Sequence, residues 1–511
     1  MALAATDWIA HHAASTPDKT AMVELAGGRR FSYSQMDDRV GRVASFLQSQ
    51  GIKKGDRVGF LMLNSSDTLE IIFGCWRLGA VCLAINFRLT PPEISFILEN
   101  AECSLVFVDT PFVPIAEALQ GKTPVKRWVK TDGMGGRSEY ETGLAESAPM
   151  IHMEPQSLED QCLLMYSSGT TGTPKGVIIT HGMMYFSAAA GSGPGENSIQ
   201  SVALANMPLF HIGGLNVSGT PPLWIGGTVV IIRMFDPEAT LDAINDPALG
   251  INGLFMVPAA YNAMKAHPKV ETTDFSRIDS ALCGAETVPT ALVNYWMTRG
   301  VIIQEGYGMT ETAAAGCLLA KADIPAKVGS AGKSLMHSTI RIVDDKGQTC
   351  PPNVPGEIWF KGLCVTPGYW RRDDANEENF VDGWFRSGDI GRKDEDGFIY
   401  IDDRIKDMYI SGGENVYPAE IENLLYQMPQ IAEVAVIGVP DERFGETGCV
   451  VAVTKAGQTV SLDDINDHLR DKLAKFKCPA YLHMLEALPR NATGKVLKFE
   501  LRKTIPKQIG L

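Results

Sequence analysis

Residues 166–177 read Tyr-Ser-Ser-Gly-Thr-Thr-Gly-Thr-Pro-Lys-Gly-Val. Five aliphatic hydroxyls (Ser167, Ser168, Thr170, Thr171, Thr173) stand among three glycines (Gly169, Gly172, Gly176), with one cation, Lys175. Glycine-rich backbone can turn successive N–H groups inward around an anion, and hydroxyls and an ammonium add donors and charge. That chemistry suits the phosphates of a nucleotide. A mobile polar surface loop has the same composition, but the ordered tail Gly-Thr-Pro-Lys-Gly favours the cradle. It is not a Walker A loop, because Pro174 stands where a glycine should precede the lysine. Gly-Ser-Ala-Gly-Lys-Ser at 329–334 ends like one, yet Lys327 occupies its first glycine position, and the segment reads as a turn.

The elements that must hold this loop are legible on both sides. Cys162–Tyr166 and Val177–Thr180 are short apolar runs bounded by turn residues, which read as buried strands joined by the loop. Upstream, residues 36–63 read as an amphipathic helix, a stop at Gly51 and a strand. Residues 69–85 and 90–108 repeat helix then strand. The alternation returns over 239–311. It predicts α/β subdomains with largely parallel sheets. Near 340–400 short alternating strands with Asp-Gly turns predict a β-rich subdomain. Beyond a boundary at 401–406, helix and strand patterns predict a small α+β domain, including a serine-started helix from Ser461 that runs to Pro479. The division is a large domain over 1–403 and a small one over 404–511, and ligands favour such junctions.

Composition narrows the function. At 511 residues the chain exceeds what one core supports. The 46 Lys and Arg against 60 Asp and Glu give a net charge of −14, which argues against nucleic acid or an anionic membrane as the main partner. Ten cysteines show no Cys-x-x-Cys and no metal-like pairing with the nine histidines, so they read as buried free thiols of a reducing compartment. The N-terminal stretch lacks a basic region and is interrupted by Asp7. No apolar run approaches the ~20 residues of a membrane span. The C-terminus carries no peroxisomal tripeptide. A cytoplasmic location is expected.

Further blocks carry a resemblance: MPLFHIGGLN at 207–216, GAE at 284–286, GYGMTE at 306–311, GWFRSGD at 383–389, DRIKDMYISGGENVYPAEIE at 403–422 and PRNATGK at 489–495. With the hydroxyl-rich loop, and in this order along essentially the whole chain, they resemble the adenylate-forming superfamily of acyl-CoA synthetases, nonribosomal adenylation domains and luciferases. The resemblance implies ATP and coenzyme A as co-substrates with Mg²⁺. A carboxylate attacks the α-phosphate to give an acyl-adenylate and pyrophosphate, and a thiol then takes the acyl group and releases AMP. A carboxylic acid is already ionised at pH 7, so the first step needs positioning and charge stabilisation rather than a nucleophile triad.

The family's roles transfer residue by residue. The loop 167–175 would hold the β- and γ-phosphates. Glu311 matches the magnesium ligand, and Thr310 contacts the α-phosphate region. Gly284, Ala285 and Glu286, with Gly306, Tyr307 and Gly308, line the expected adenine slot. Asp389 and Arg404 match the readers of the ribose and nucleotide, and Lys495 the adenylation lysine. Lys406 falls at the interdomain hinge, which makes the small domain mobile. Gly412 and Gly413 would border the pantetheine tunnel, and His211 matches the gate between acyl pocket and thiol channel. For coenzyme A the match is thinner: Arg88, Phe444, Lys475, Phe476 and Lys477, with Cys478 where some relatives carry a basic residue.

The acyl pocket is expected from His211, Gly213, Gly214, Val257, Tyr261 and Gly316. These stretches bring no evident Asp or Arg for a second charged group, which favours a hydrophobic monocarboxylate. His211 follows Phe210 where amino-acid-activating domains have Asp, so an α-ammonium finds no partner. A medium- or long-chain fatty acid is the first expectation. Aryl, cinnamic-type or alicyclic acids are the alternative, and a non-catalytic sensor or scaffold is a remote one. The expected partners are a small-molecule carboxylic acid, ATP and coenzyme A; a homodimer is left open.

Overall fold

The structure is a computed structural model. It describes residues 3–167, 174–286, 288–404, 406–411, 414–441, 444–470, 472–473, 475–490 and 495–511, with the backbone alone for Arg404 and Asn415.

Four sheets organise the described residues. The first has the order Arg127–Thr131, Cys103–Asp109, Arg57–Leu61, Val81–Ala84, Gln161–Ser167, Lys175–Thr180. Its strands run parallel except the last, which pairs antiparallel with Gln161–Ser167. Fully buried strands such as Val81–Ala84 explain their unbroken apolar sequence. The helix Ser66–Leu78 is buried along its whole length between such layers. Ser65 starts it by accepting from the Thr68 N–H, and Gly79, left-handed at φ 79°, ends it.

The second sheet has nine strands, and parallel pairing runs from Thr20–Glu24 through Thr228–Ile231, Val202–Ala205, Gly253–Met256 and Ser280–Cys283 to Ile303–Met309. Ile303–Met309 then turns antiparallel to Ala314–Leu318. The third sheet, between Ser338 and Arg404, is antiparallel throughout. From Tyr409 on, a separate domain builds its own sheet around the long hairpin Ile431–Asp441 and Gly445–Thr454. The helices Pro418–Leu425 and Lys498–Gln508 pack on Ile431–Asp441.

The α/β class, the parallel subdomains and the separate C-terminal domain agree with the sequence reading. One helix does not. It begins at Leu462 behind a Ser461–Asp464 capping box but ends at Leu469, and a short 3₁₀ turn follows at Lys475–Lys477. Arg470 leaves the helical region (φ −56°, ψ 138°), and Leu473, Phe476 and Cys478 pack back on the domain core. Burial of those apolar groups outweighs local helix propensity. Eight of the ten cysteines are buried, as expected. No described helix is long and apolar enough to cross a membrane.

Candidate active site

Parallel strands deliver their carboxyl ends to one edge of a sheet, and here both parallel sheets do so around a single cavity. After Arg57–Leu61 comes Asn64, and after Val81–Ala84 come Phe87 and Arg88. The second sheet adds Asn206, Phe210, His211, Arg233, Val257, Ala259, Ala285 and Glu286, from the stretches just past its strand ends. These residues line a cavity of 270 Å³, which the C-terminal domain closes with Lys495. Thus His211, Gly214, Val257, Ala285, Glu286, Arg88 and Lys495, drawn from four separate sequence expectations, share one space.

Burial, reinforced by the charges of Lys495 and Arg88, pushes the His211 imidazole down to about 4. The ring is therefore neutral at pH 7. Its Nδ1 accepts from the Gly213 N–H at 3.2 Å, which leaves Nε2 to carry the proton. Burial raises the Glu286 carboxyl, and Arg490 and Lys495 oppose the rise; the Arg490 guanidinium stands 3.8 Å from its Oε1.

The phosphate-loop expectation is framed at both ends. Ser167 and Lys175, the residues on either side of the expected loop, are register partners of the antiparallel pair. Ser168, Gly169, Thr170, Thr171, Gly172 and Thr173 lie outside the described residues, as do Gly412 and Gly413. Glu311 sits in a 3₁₀ turn, Thr310–Thr312, directly after Ile303–Met309. It is buried, and burial raises its carboxyl, whereas the Tyr369 hydroxyl, Lys495 and Lys175 lower it. Tyr369 donates to Oε1 at 3.0 Å, and its ring centroid lies 5.1 Å from the Lys175 ammonium. Thr310 belongs to the same turn, and its carbonyl accepts from the Ala313 N–H.

The expected adenine slot is built by close backbone approach. A Cβ on Gly284 would lie 2.5 Å from the Gly306 carbonyl oxygen, and one on Gly308 1.8 Å from that of Ala314. Only glycine fits either place. Ala285, Ala313 and Ala314 hold positive φ (69°, 51° and 91°), a strain concentrated at this site. Tyr307 donates to Asp389 Oδ2 at 2.6 Å, and Asp389 is the register partner of Arg404. The adenine and ribose candidates therefore touch.

Three acyl-pocket expectations fall elsewhere. Tyr261 is fully buried, stacks edge-on to Trp296 and donates to the Leu282 carbonyl, so it is core. The space beside Gly316 is filled by the Phe360 ring, 2.4 Å from an added Cβ. Gly213 abuts Phe255, which takes the wall position. Two coenzyme A expectations are likewise committed inside the C-terminal domain. Phe476 packs on its core, and the Lys477 ammonium is bound by Glu420 at 2.6 and 2.9 Å. Lys475 lies in the same 3₁₀ turn, and Phe444 is 40% exposed, with its N–H on Asp441. Lys406 is exposed; its carbonyl accepts from Arg502 of the last helix.

Sequence reading missed Tyr369, Asn206 and Arg233. Arg233 does line the cavity, but Asp109 takes its guanidinium at 2.6 and 2.7 Å. Asn206 is buried on the wall, and its Oδ1 has no hydrogen-bond partner among the described residues. None of the three belongs to a recognisable motif.

Comparison with known proteins accounts for this arrangement. Residues 9–370 match the model of the AMP-binding enzymes, and 420–495 that of the AMP-binding enzyme C-terminal domain. The chain is 38% identical to a feruloyl-CoA synthase of Amycolatopsis sp, over 97% of this chain and 98% of that protein. It is 35% identical to a long-chain-fatty-acid–CoA ligase of Mycobacterium tuberculosis, over 96% and 97%. Among solved structures, o-succinylbenzoate coenzyme A synthetase from Bacillus subtilis, in complex with ATP and a magnesium ion, superimposes with a TM-score of 0.86 at 31% identity, covering 98% of both chains. The chain belongs to the AMP-binding enzymes, the adenylate-forming superfamily, among its acyl-CoA synthetases. Its activity is that of an AMP-forming acid–CoA ligase, with ATP and coenzyme A as co-substrates.

Proposed function

We propose that the enzyme activates a hydrophobic monocarboxylic acid as its acyl-adenylate and passes the acyl group to coenzyme A. The observation that carries the reading is the shared cavity, where Lys495 from the small domain meets His211 and the strand-end loops of both sheets. The acid's carboxylate attacks the α-phosphorus, the bond to the β-phosphate oxygen breaks, and pyrophosphate leaves. Lys495 stands to neutralise charge as it builds between the carboxylate and the α-phosphate. Lys175 and the loop it closes hold the departing pyrophosphate. Tyr307 and Asp389 orient the nucleoside. The thiol of coenzyme A, its proton released to solvent, then adds through sulfur to the acyl carbon, and the bond from that carbon to the phosphate oxygen breaks so that AMP departs with the bonding pair. His211, neutral and with Nδ1 occupied, shapes the junction between acyl group and thiol rather than taking a proton there.

Glu311 fits a magnesium ion: it is a buried carboxylate beside two lysines, with one oxygen committed to Tyr369. Mg²⁺ takes one or two carboxylates and substrate phosphates rather than a full protein cage, so a single carboxylate is a sufficient protein share. When bound, the ion would neutralise phosphate charge.

Of the two arginines on the cavity wall, Arg88 and Arg233, the second is neutralised by Asp109, which supports reading the acid as a monocarboxylate. A medium- or long-chain fatty acid remains the first candidate. An aryl acid is the second reading, favoured by the phenylalanine walls (Phe87, Phe210, Phe235, Phe255) and the feruloyl-CoA synthase relative. A pyrophosphate-release screen over fatty, cinnamic-type, alicyclic and dicarboxylic acids, with and without coenzyme A, tests this. Preference for a dicarboxylate, or ADP instead of AMP as product, would overturn it.

A further inference from the structure

Tyr369 lies in the strap between the strand Gly356–Gly362 and the helix Asp373–Asn379. This strap is stitched to the outgoing arm of the phosphate loop. Tyr369 forms an isolated bridge with Val177, the Trp370 N–H donates to the Gly176 carbonyl at 2.7 Å, and the Ile178 N–H to that of Gly368 at 3.1 Å. On its other side the strap holds the metal-loop candidate, because the Thr366 N–H donates to the Glu311 carbonyl at 2.8 Å. Asn376 pins the tyrosine backbone twice, accepting from its N–H and donating to its carbonyl. The side chain has little freedom left, and it is 5% exposed.

From that fixed backbone one ring meets two opposite charges. Its hydroxyl donates to Glu311 Oε1 at 3.0 Å, and its face lies 5.1 Å from the Lys175 ammonium. A hydrogen bond to a metal-ligating carboxylate leaves its other oxygen facing the ion in a set direction. A cation over a ring face is held without losing its charge to a counter-anion. Lys175 can thus be restrained by the ring and still meet a phosphate.

We infer that Tyr369 is a positioning residue that sets the spacing of Glu311 and Lys175, so that metal and phosphate tail are received as one unit. The inference rests on the proposed roles of Glu311 and Lys175. Its two contacts are chemically separable. Tyr369→Phe keeps the ring under Lys175 and deletes the donor; Tyr369→Leu deletes both.

The test uses the full-length protein without acid or coenzyme A, so that nothing turns over. Mn²⁺ binding in the presence of ATP is followed by electron paramagnetic resonance, and ATP binding without metal by calorimetry. Tyr369→Phe is expected to weaken Mn²⁺ binding about 10-fold and to leave metal-free ATP binding unchanged. Tyr369→Leu is expected to weaken metal-free ATP binding as well, by about 2- to 5-fold. Glu311→Gln is run in parallel. If Glu311→Gln loses Mn²⁺ affinity while Tyr369→Phe retains it, the positioning role is wrong and the metal assignment stands. If Glu311→Gln itself retains affinity, the metal assignment fails and takes the inference with it. Equal losses of metal-bound and metal-free ATP binding in Tyr369→Phe would mark the tyrosine as merely structural. The near-isosteric phenylalanine keeps the question decidable if the leucine variant does not fold.

Discussion

Glu305 sits one residue before the Gly306-Tyr307-Gly308 segment, on the strand Ile303–Met309, and is 6% exposed. Its Oε1 accepts from the Gly329 N–H at 2.8 Å. Burial raises its carboxyl from 4.5 to about 7, and that one hydrogen bond opposes the rise. Between those values the folded chain keeps a proton that the unfolded chain has released. Stability from this group is therefore complete below pH 4.5 and lost as pH rises through about 7. The difference corresponds to a ceiling of ~3 kcal/mol. Glu305→Gln keeps an acceptor for Gly329 and cannot ionise. It should stabilise the large domain by ~2 kcal/mol at pH 8.5, a rise of about 3–6 °C in its melting temperature, and change little at pH 4.5. The assay is calorimetric melting of wild type and variant at both pH values. An equal shift at both, or a loss at pH 8.5, would refute the ionisation argument.

Lys495→Ala should lose acyl-adenylate formation from acid and ATP by about 10²- to 10³-fold, yet convert supplied acyl-adenylate to the thioester. Lys406→Pro should do the reverse, because proline fixes φ where the small domain must pivot; equal loss of both half-reactions in each variant would sink domain alternation. His181 is buried against Gln156, and burial lowers its imidazole from 6.5 to about 4, so the unfolded chain takes up a proton first and stability should fall as pH drops through that window. His181→Gln should flatten this acid limb in denaturant melts between pH 6.5 and 4. Asn206→Leu should leave pyrophosphate exchange intact but alter KM for whichever ligand offers a donor to that buried Oδ1; unchanged KM for every acid and for coenzyme A would show the atom to be idle.

Most elements, including the strands that flank the phosphate loop, were legible in the sequence. Local apolar runs and turn residues are enough to place the strands around the phosphate loop, and the ordered blocks that contain Glu311, Asp389 and Lys495 carry the resemblance to the superfamily. Such features are local: a glycine-rich hairpin or a serine-capped helix is written within a dozen residues. What lines the cavity is not local. Tyr369 stands 58 residues from Glu311 and nearly two hundred from Lys175, and only the strap's pairing with the loop brings its ring between them. Arg233 looked absent from the pocket, and the fold both delivered it there and cancelled it with Asp109, which ends a strand of the other sheet. Tyr261 and Gly316 share a sequence neighbourhood with pocket residues, but which face of an element meets the cavity depends on what packs behind it: Trp296 in one case, Phe360 in the other. Periodicity tells which residues are apolar, and tertiary packing alone decides which of them border empty space.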